Sequence, residues 1–377
     1  MTPVTITTTE QLLPLNDNPL VSILIVCKNG TKTIRRCLEA ALAQTYQHFE
    51  LVFQDGGSTD GTLDIVKDYM SRHPGRIRLK AEPDSCGEEG LFRGLKACEG
   101  DILVLSMADE ELLPESVAWG VKQLKGLPQA GAVYGDVYVT DFDGKIVETW
   151  HGSPFSLKGY LFREVDPPFA ATFFRREALI GAGLFTRDWI WGVGEFEIWL
   201  RIAMKYPVHY LPGVIAKFAF HCETASHGHF SNDEYFVSAR KAFFDTFFAE
   251  PDLPESIRGM KEQAIAGLHL FIGNVLLNLE VSAKPEIHIK KALEHIPNGS
   301  QLLFLAERIS KANFDCDRKM LRTDVIKGLK GHVLAFIHLI LMEIYDGLNV
   351  DKKAQKHFKS ALQHIQNYSP YRIWPRR

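Results

Sequence analysis

The apolar run Val21-Ser22-Ile23-Leu24-Ile25-Val26-Cys27 has no face suited to water, and it is followed at once by the breaker Lys28-Asn29-Gly30. A run of this length, rich in β-branched residues, predicts a strand covered on both sides. Residues 33–43 then carry Ile34, Cys37, Leu38, Ala41 and Leu42 at helical spacing. The pattern repeats: FELVFQ reads as a strand, DGGSTDG as a turn, and TLDIVKDYMSRH as a helix with Leu63, Val66 and Met70 on one side. A third strand, IRLKAE, leads through a loop to a helix around residues 91–98 and then to the apolar strand DILVLSM. Strands alternating with amphipathic helices over short connections predict an α/β fold, a mainly parallel sheet with helices on both faces. Ligands of such sheets lie beyond the carboxyl ends of the strands. Lys28-Asn29, Asp55, Asp84 and Asp109 follow the first four strands in that order.

A chain of 377 residues exceeds one comfortable core, and its character changes near residue 230. The organisation predicted is an N-terminal extension (1–19), an α/β domain (20–230) and an α-helical C-terminal domain (231–377). Within the last, IKKALEHIPNGS and HFKSALQHIQNYSP are alike only weakly, which does not establish a helical repeat. A net charge of −3 provides no broad positive field, so nucleic acid is excluded as a partner and any phosphate must be met locally. The six cysteines lack CxxC spacing, which argues against a disulfide framework or zinc knuckle and fits a reducing cytoplasm. The first 19 residues lack the basic start and apolar core of a secretory signal. Residues 332–345, with His338 and Glu343, fall short of the roughly 20 needed to span a bilayer and read as a buried helix.

The loop DGGSTDGT is the strongest local signal. Its glycines let the backbone approach a ligand, and its aspartates can accept hydrogen bonds from a base or ribose. Asp55, at the strand end, is read as a ligand contact; Ser58, Thr59 or Asp60 is read as capping the helix that begins near Gly61-Thr62.

The run from Val21 to Thr62 resembles the opening of the family 2 glycosyltransferases, with Asn29, Gln44, Tyr46, Glu50 and Asp55 to Thr62 in register. Further on, EPDSCGEEGLFRGLKACEGDILVLSMADEELLP is similar to the family's acidic loop, helix and metal motif, and GEFEIWLRIAMKYPVHYLP to the segment carrying its catalytic base. The resemblance covers roughly residues 20–226 in unbroken order. It implies a GT-A fold, Rossmann-like in its sheet. It also implies a metal-dependent, hexosyltransferase-type enzyme of polysaccharide biosynthesis that inverts the anomeric carbon. The donor implied is a nucleotide diphosphate-sugar, UDP-linked by expectation. The cofactor is Mn²⁺ or Mg²⁺, which suit an oxygen site completed by substrate phosphates. The expected acceptor is a glycan or lipid-linked molecule, which would place a cytoplasmic protein at the inner face of the plasma membrane. The helical region would provide a membrane contact or a homodimer interface.

Residue by residue, the resemblance assigns Asp109 to the metal and donor, with Glu110 supporting the cation. Met107 stands where relatives often have another acid, and Glu111 reads as the start of the following helix. Glu195 matches the catalytic base, although most relatives have Asp there. Glu197, two residues on, reads as a solvated or Arg201-paired carboxylate. Asn29 and Asp84 match donor-binding positions. GEEGLFRG departs from the family's donor loop; in it Glu89 stands in for an Asp and Arg93 is positioned for a phosphate. His221 is divided evenly between touching and not touching the diphosphate or metal, and His227 and His229 read as surface residues. Trp199 reads as core, while Trp189 or Trp191 would flank the acceptor. Two other readings stay open, a catalytically silent binding module and a sugar nucleotidyltransferase.

Overall fold

The computed structural model describes residues 11–141, 143–186, 193–219, 233–278 and 285–295. They fall in two compact units, one within Met1–Leu157 and Pro167–Thr224, the other within Lys158–Asp166 and Ala225–Arg377. The second unit therefore takes in a short excursion, residues 158–166, from within the α/β segment.

The first unit is built on β1 (Val21–Cys27), buried at every residue. It pairs in parallel with β2 (Phe49–Asp55) on one side and β4 (Ile102–Met107) on the other, and β2 pairs in parallel with β3 (Ile77–Ala81). On one face Ile23 and Ile25 join Ile34, Cys37 and Leu38 of α1 (Ile34–Leu42) and Val66 and Tyr69 of α2 (Thr62–Arg72) in a single core. On the other face lies α3 (Gly87–Ala97). A Cβ at Gly94 would fall 2.5 Å from Leu24 Cδ1, so a side chain here would require Leu24 to shift. Helices thus cover both faces, as the double-sided apolar strands require.

Beyond β4 antiparallel pairings enter the sheet. β8 (Thr172–Arg175) runs antiparallel between β4 and β6 (Ala132–Thr140), while β9 (Val208–Ala219) is parallel to β6. β5 (Glu111–Leu112) closes one edge against β9, and β7 (Ile146–Trp150) pairs with β6. The order is β3-β2-β1-β4-β8-β6-β9-β5. Glu111 does not begin a helix: it lies in β5, paired with Lys217 at 2.8 Å and Arg36 at 3.4 Å, and α4 (Ser116–Gly126) starts after it.

Several residues that carry the family resemblance are scaffold. The buried Gln44 amide donates to Leu113 O (2.9 Å) and accepts from Val117 N–H (3.0 Å), tying α1 to α4. Tyr46 donates to Pro19 O (2.6 Å), and Glu50 accepts from Glu99 N–H (2.8 Å) and Arg78 (2.6 Å). Trp199 is core, packed edge-on to Tyr134 with centroids 5.6 Å apart. It lies on α7 (Gly194–Lys205), where Glu197 is paired with Arg201 at 3.1 Å and both are buried.

In the second unit α8 (Asp233–Phe248), α9 (Glu255–Arg258), α10 (Lys261–Asn278) and α11 (Pro285–His295) make up the described part. Residues 158–166, which overlap α5 (Leu157–Leu161), join them: a Cβ at Gly267 would fall 2.7 Å from Phe162 O, and Arg163 lies 4.2 Å from the Phe271 ring centre. Among the described residues no helix is long and apolar enough to cross a membrane. The segment 332–345 lies outside the described residues.

Removing one partner of a buried ion pair strands the other charge, a loss of about 3–5 kcal/mol, whereas replacing both with apolar residues is often neutral. Glu197→Ala should therefore lower the urea unfolding midpoint substantially, and E197L/R201M should recover most of the loss. Equal midpoints for wild type and E197A would contradict the pairing.

Candidate active site

The turns that end β1 and β2 are stitched into one platform. Asn29 adopts φ 58°, in the left-handed region. It is held there by its N–H donating to Ser58 Oγ (2.8 Å) and its Oδ1 accepting from Thr59 N–H (2.9 Å). Gly30 N–H donates to Thr62 Oγ1 (2.8 Å). Asp60 receives Thr31 N–H and Oγ–H on one oxygen and Thr62 N–H and Oγ–H on the other, so it closes the loop and covers the start of α2. Partial burial works to raise its carboxyl, but the bonds from Thr62 and Thr31 prevail and hold it far below the usual carboxylate range.

On this platform Asp55 ends β2 with no exposure. Its Oδ2 accepts from Gly57 N–H and Ser58 N–H, each at 2.9 Å, while Oδ1 is buried and has no hydrogen-bond partner among the described residues. A buried carboxylate oxygen left this way is costly unless a donor reaches it. Next to it, the Asp84 side chain is 2% exposed. A Cβ at Gly56 would lie 2.2 Å from Asp84 Oδ2 and one at Gly90 2.7 Å away, so only glycine fits at either position. Burial raises the Asp84 carboxyl; Lys28 opposes this, its Nζ 3.3 Å from Oδ1 and 3.0 Å from the Asp84 carbonyl. Sequence reasoning named Asp84 and passed over Lys28 as its partner, although a lysine directly after a buried strand was the available signal. Arg93 donates to Pro83 O (2.9 Å) and to Glu89, whose other oxygen is held by Ser85 N–H and Oγ–H.

At the end of β4, Asp109 is half-buried and Glu110 is 4% exposed. The Glu110 carboxylate turns back to accept Met107 N–H at 2.8 Å. Burial pushes this carboxyl well above its usual range, and the charges of Asp109 and Glu195 add to the rise. Glu195, exposed in the first turn of α7, therefore lies within electrostatic reach of the β4 acids. The Cys27 thiol at the end of β1 is pushed up to about 12, first by burial and then by Asp55, Asp60 and Asp109, which gathers the 55–62 loop and Asp109 around one strand end.

Among the described residues no three His, Cys, Asp or Glu side chains converge as a ready-made metal site. An oxygen-ligated Mg²⁺ or Mn²⁺ whose shell is completed by substrate phosphates needs only one or two protein carboxylates, and Asp109 fits that donor set. His221, His227, His229, Trp189 and Trp191 lie outside the described residues.

Sequence reasoning also missed Asp136. It sits at the irregularity between β6 and β9, 4% exposed, accepting from Gly152 N–H (2.9 Å), Tyr210 O–H (2.8 Å) and Gly213 N–H (3.0 Å). An Asp inside the apolar run AVYGDVYVT was the signal, and the role it reveals is to pin the bulge.

Because the folded-state carboxyl of Asp60 is depressed, its stabilising contribution is present above the unfolded value of about 3.9 and is lost as pH falls below it. Asp60→Asn should therefore be less stable than wild type at neutral pH, with the gap closing between about pH 4 and pH 2 in urea titrations. A gap independent of pH would contradict the charged role.

Residues 22–180 match the family model described as glycosyl transferase family 2. A chondroitin synthase of Escherichia coli is 29% identical over 136 residues, 36% of this chain and 20% of that protein. A PGL/p-HBAD biosynthesis glycosyltransferase of Mycobacterium bovis is 31% identical over 159 residues, 42% of this chain and 60% of the relative. The chain thus spans less than two thirds of either relative. Among solved structures, S. aureus TarS 1-349 in complex with UDP-GlcNAc is similar with a TM-score of 0.52 at 14% identity, covering 93% of each chain. The mannosyltransferase PcManGT from Pyrobaculum calidifontis in complex with GDP-Man and Mn²⁺ gives a TM-score of 0.50 at 19% identity, over 82% of this chain and 90% of the other. At these identities the structural likeness establishes the GT-A fold. Through residues 22–180 the chain is similar to glycosyl transferase family 2.

Proposed function

We propose that the chain transfers a hexosyl group from a nucleotide diphosphate-sugar, UDP-linked by preference, to a hydroxyl of a glycan or lipid-linked acceptor, inverting the anomeric carbon. Residues 20–230 form the catalytic domain in this reading, and residues 231–377 form a separate helical domain. The observation that carries it is the grouping of Asp109, Glu110 and Glu195 within electrostatic reach at the strand ends that also hold Asp55 and Asp84. The nucleotide sugars bound by TarS and PcManGT, UDP-GlcNAc and GDP-Man, support a donor of this class.

Each residue has a role that follows from its surroundings. Asp55 Oδ1 accepts a donor hydrogen from the base or ribose, which satisfies its buried lone pairs. Asp84, held by Lys28, borders the same pocket, and Asn29 shapes it by pinning the turn. Arg93, braced by Glu89, faces the departing phosphate, and His221 is a further candidate for contact with it. Glu195 takes the proton of the acceptor hydroxyl as its oxygen bonds to the anomeric carbon and the bond from that carbon to the phosphate oxygen breaks. Mn²⁺ or Mg²⁺, when bound, supplies positive charge against the leaving diphosphate. Asp109 would hold it, with Glu110 behind. The free thiols Cys27, Cys37, Cys86 and Cys98 are compatible with a cytoplasmic protein working at the inner membrane face.

The test is transfer or hydrolysis across a panel of UDP- and GDP-sugars with Mn²⁺ or Mg²⁺. Glu195→Gln should lower kcat by about 10²–10⁴ with little change in donor KM, and Glu195→Asp should keep much of the activity. Asp109→Ala should lose both turnover and metal-dependent donor binding. Binding without turnover by the wild-type protein would instead make the domain a silent nucleotide-sugar module, and the absence of binding to any donor would refute the reading.

A further inference from the structure

The second unit contains a cavity of about 390 Å³ that the sugar-transfer reading does not use. Three helices line it: Glu234, Ser238 and Lys241 on α8, His269 on α10, and His288, Lys291, Glu294 and His295 on α11. His269 and His288 are 1% and 4% exposed, with their Nδ1 atoms 3.2 Å apart. His295 stacks on His269 with the rings 13° from parallel, and its Nδ1 lies 2.6 Å from Glu262 Oε2. The apolar contribution to the lining is Val237. A helical unit that needed only a core would fill such a space with apolar side chains, since imidazoles are costly to bury.

The charges are arranged unevenly. Lys241 and Lys291 are half-buried, whereas the acids nearby, Glu234, Glu262 and Glu294, are exposed. Of the two lysines and two glutamates that line the cavity, the lysines are the more buried. His269 registers this: burial first, then the charges of His288, Lys291, Lys241 and His295, pushes its imidazole down to about 3. A metal cation would have to settle beside two ammonium groups, and among the described residues no three ligating side chains converge here. An oxyanion meets two half-buried cations and polar ring nitrogens, while the lining acids Glu234 and Glu294 are exposed to solvent, which screens them.

We propose that this cavity binds a phosphate-bearing ligand, with Lys241 and Lys291 supplying the charge and the His269, His288 and His295 rings lining the site.

Inorganic phosphate titrated calorimetrically into the full chain at low ionic strength tests this. Wild type should show saturable binding, and K241M/K291M should bind about tenfold or more weakly, the size of one charge-assisted hydrogen bond. K67M/K122M, altered at exposed lysines of α2 and α4, should bind as wild type does, and K28M/R93M separates out any phosphate bound at the strand-end site. Equal binding by wild type and K241M/K291M, or loss in K28M/R93M alone, would overturn the assignment. Should K241M/K291M fail to fold by circular dichroism, the wild-type histidine ring resonances decide: those of His269, His288 and His295 should move with phosphate, and fixed resonances would refute the site. Saturable Zn²⁺ binding lost in His288→Gln, without phosphate binding, would overturn it in favour of a metal. Flotation with phosphatidylglycerol–phosphatidylcholine vesicles, abolished in K241M/K291M, would identify a lipid headgroup as the source; phosphate binding without flotation would identify a soluble phosphate.

Discussion

Everything at the candidate active site depends on β1 being buried at each of its residues, from Val21 to Cys27. A strand bonded in parallel to β2 and β4 along its length and packed on both faces has its carboxyl end fixed in space. The turn that follows, Lys28 to Thr31, is then bonded residue by residue to the 58–62 loop. Rigid strands and a stitched loop are what allow a carboxylate such as Asp55 to be held with one oxygen satisfied and the other buried without a hydrogen-bond partner among the described residues. The orphaned oxygen is a local cost carried by a well-packed surround, which is the usual relation between a site and its scaffold.

The same economy appears in the glycines. Gly56 and Gly90 have no room for a side chain because Asp84 fills the space, and Gly94 has none because Leu24 does. In the sequence these look like a turn residue and two poor helix formers. In the fold they bring α3 onto β1 and seal Asp84 between two backbones, and that enclosure is why its carboxyl rises despite Lys28.

Much of this was legible in the sequence because the signals are local. Double-sided apolar strands, helical periodicity and a glycine-aspartate turn each follow from short stretches, and the strand ends they define hold Asp55, Asp84 and Asp109. What escaped is what only long-range packing decides. β8 is four residues, and its antiparallel insertion between β4 and β6 depends on partners far apart in the chain. Glu111 looked like a helix start because acids favour that position, yet Lys217, 106 residues away, and Arg36 hold it in β5. Asp136 draws its bonds from Gly152 and from Tyr210 and Gly213 of β9, two segments no local pattern connects to it. Motif residues were also easier to find than to interpret: Gln44, Tyr46 and Glu50 are in register with the family yet serve as struts.

The central claim is that the carboxyl ends of β1, β2 and β4 form a nucleotide-sugar site completed from outside by the ligand. Its most direct test is a crystal structure with a nucleoside diphosphate and Mn²⁺. The account predicts a base or ribose donor within hydrogen-bond distance of Asp55 Oδ1, and the diphosphate beside Asp109. A nucleotide bound elsewhere, with Asp55 Oδ1 still lacking a donor, would contradict it.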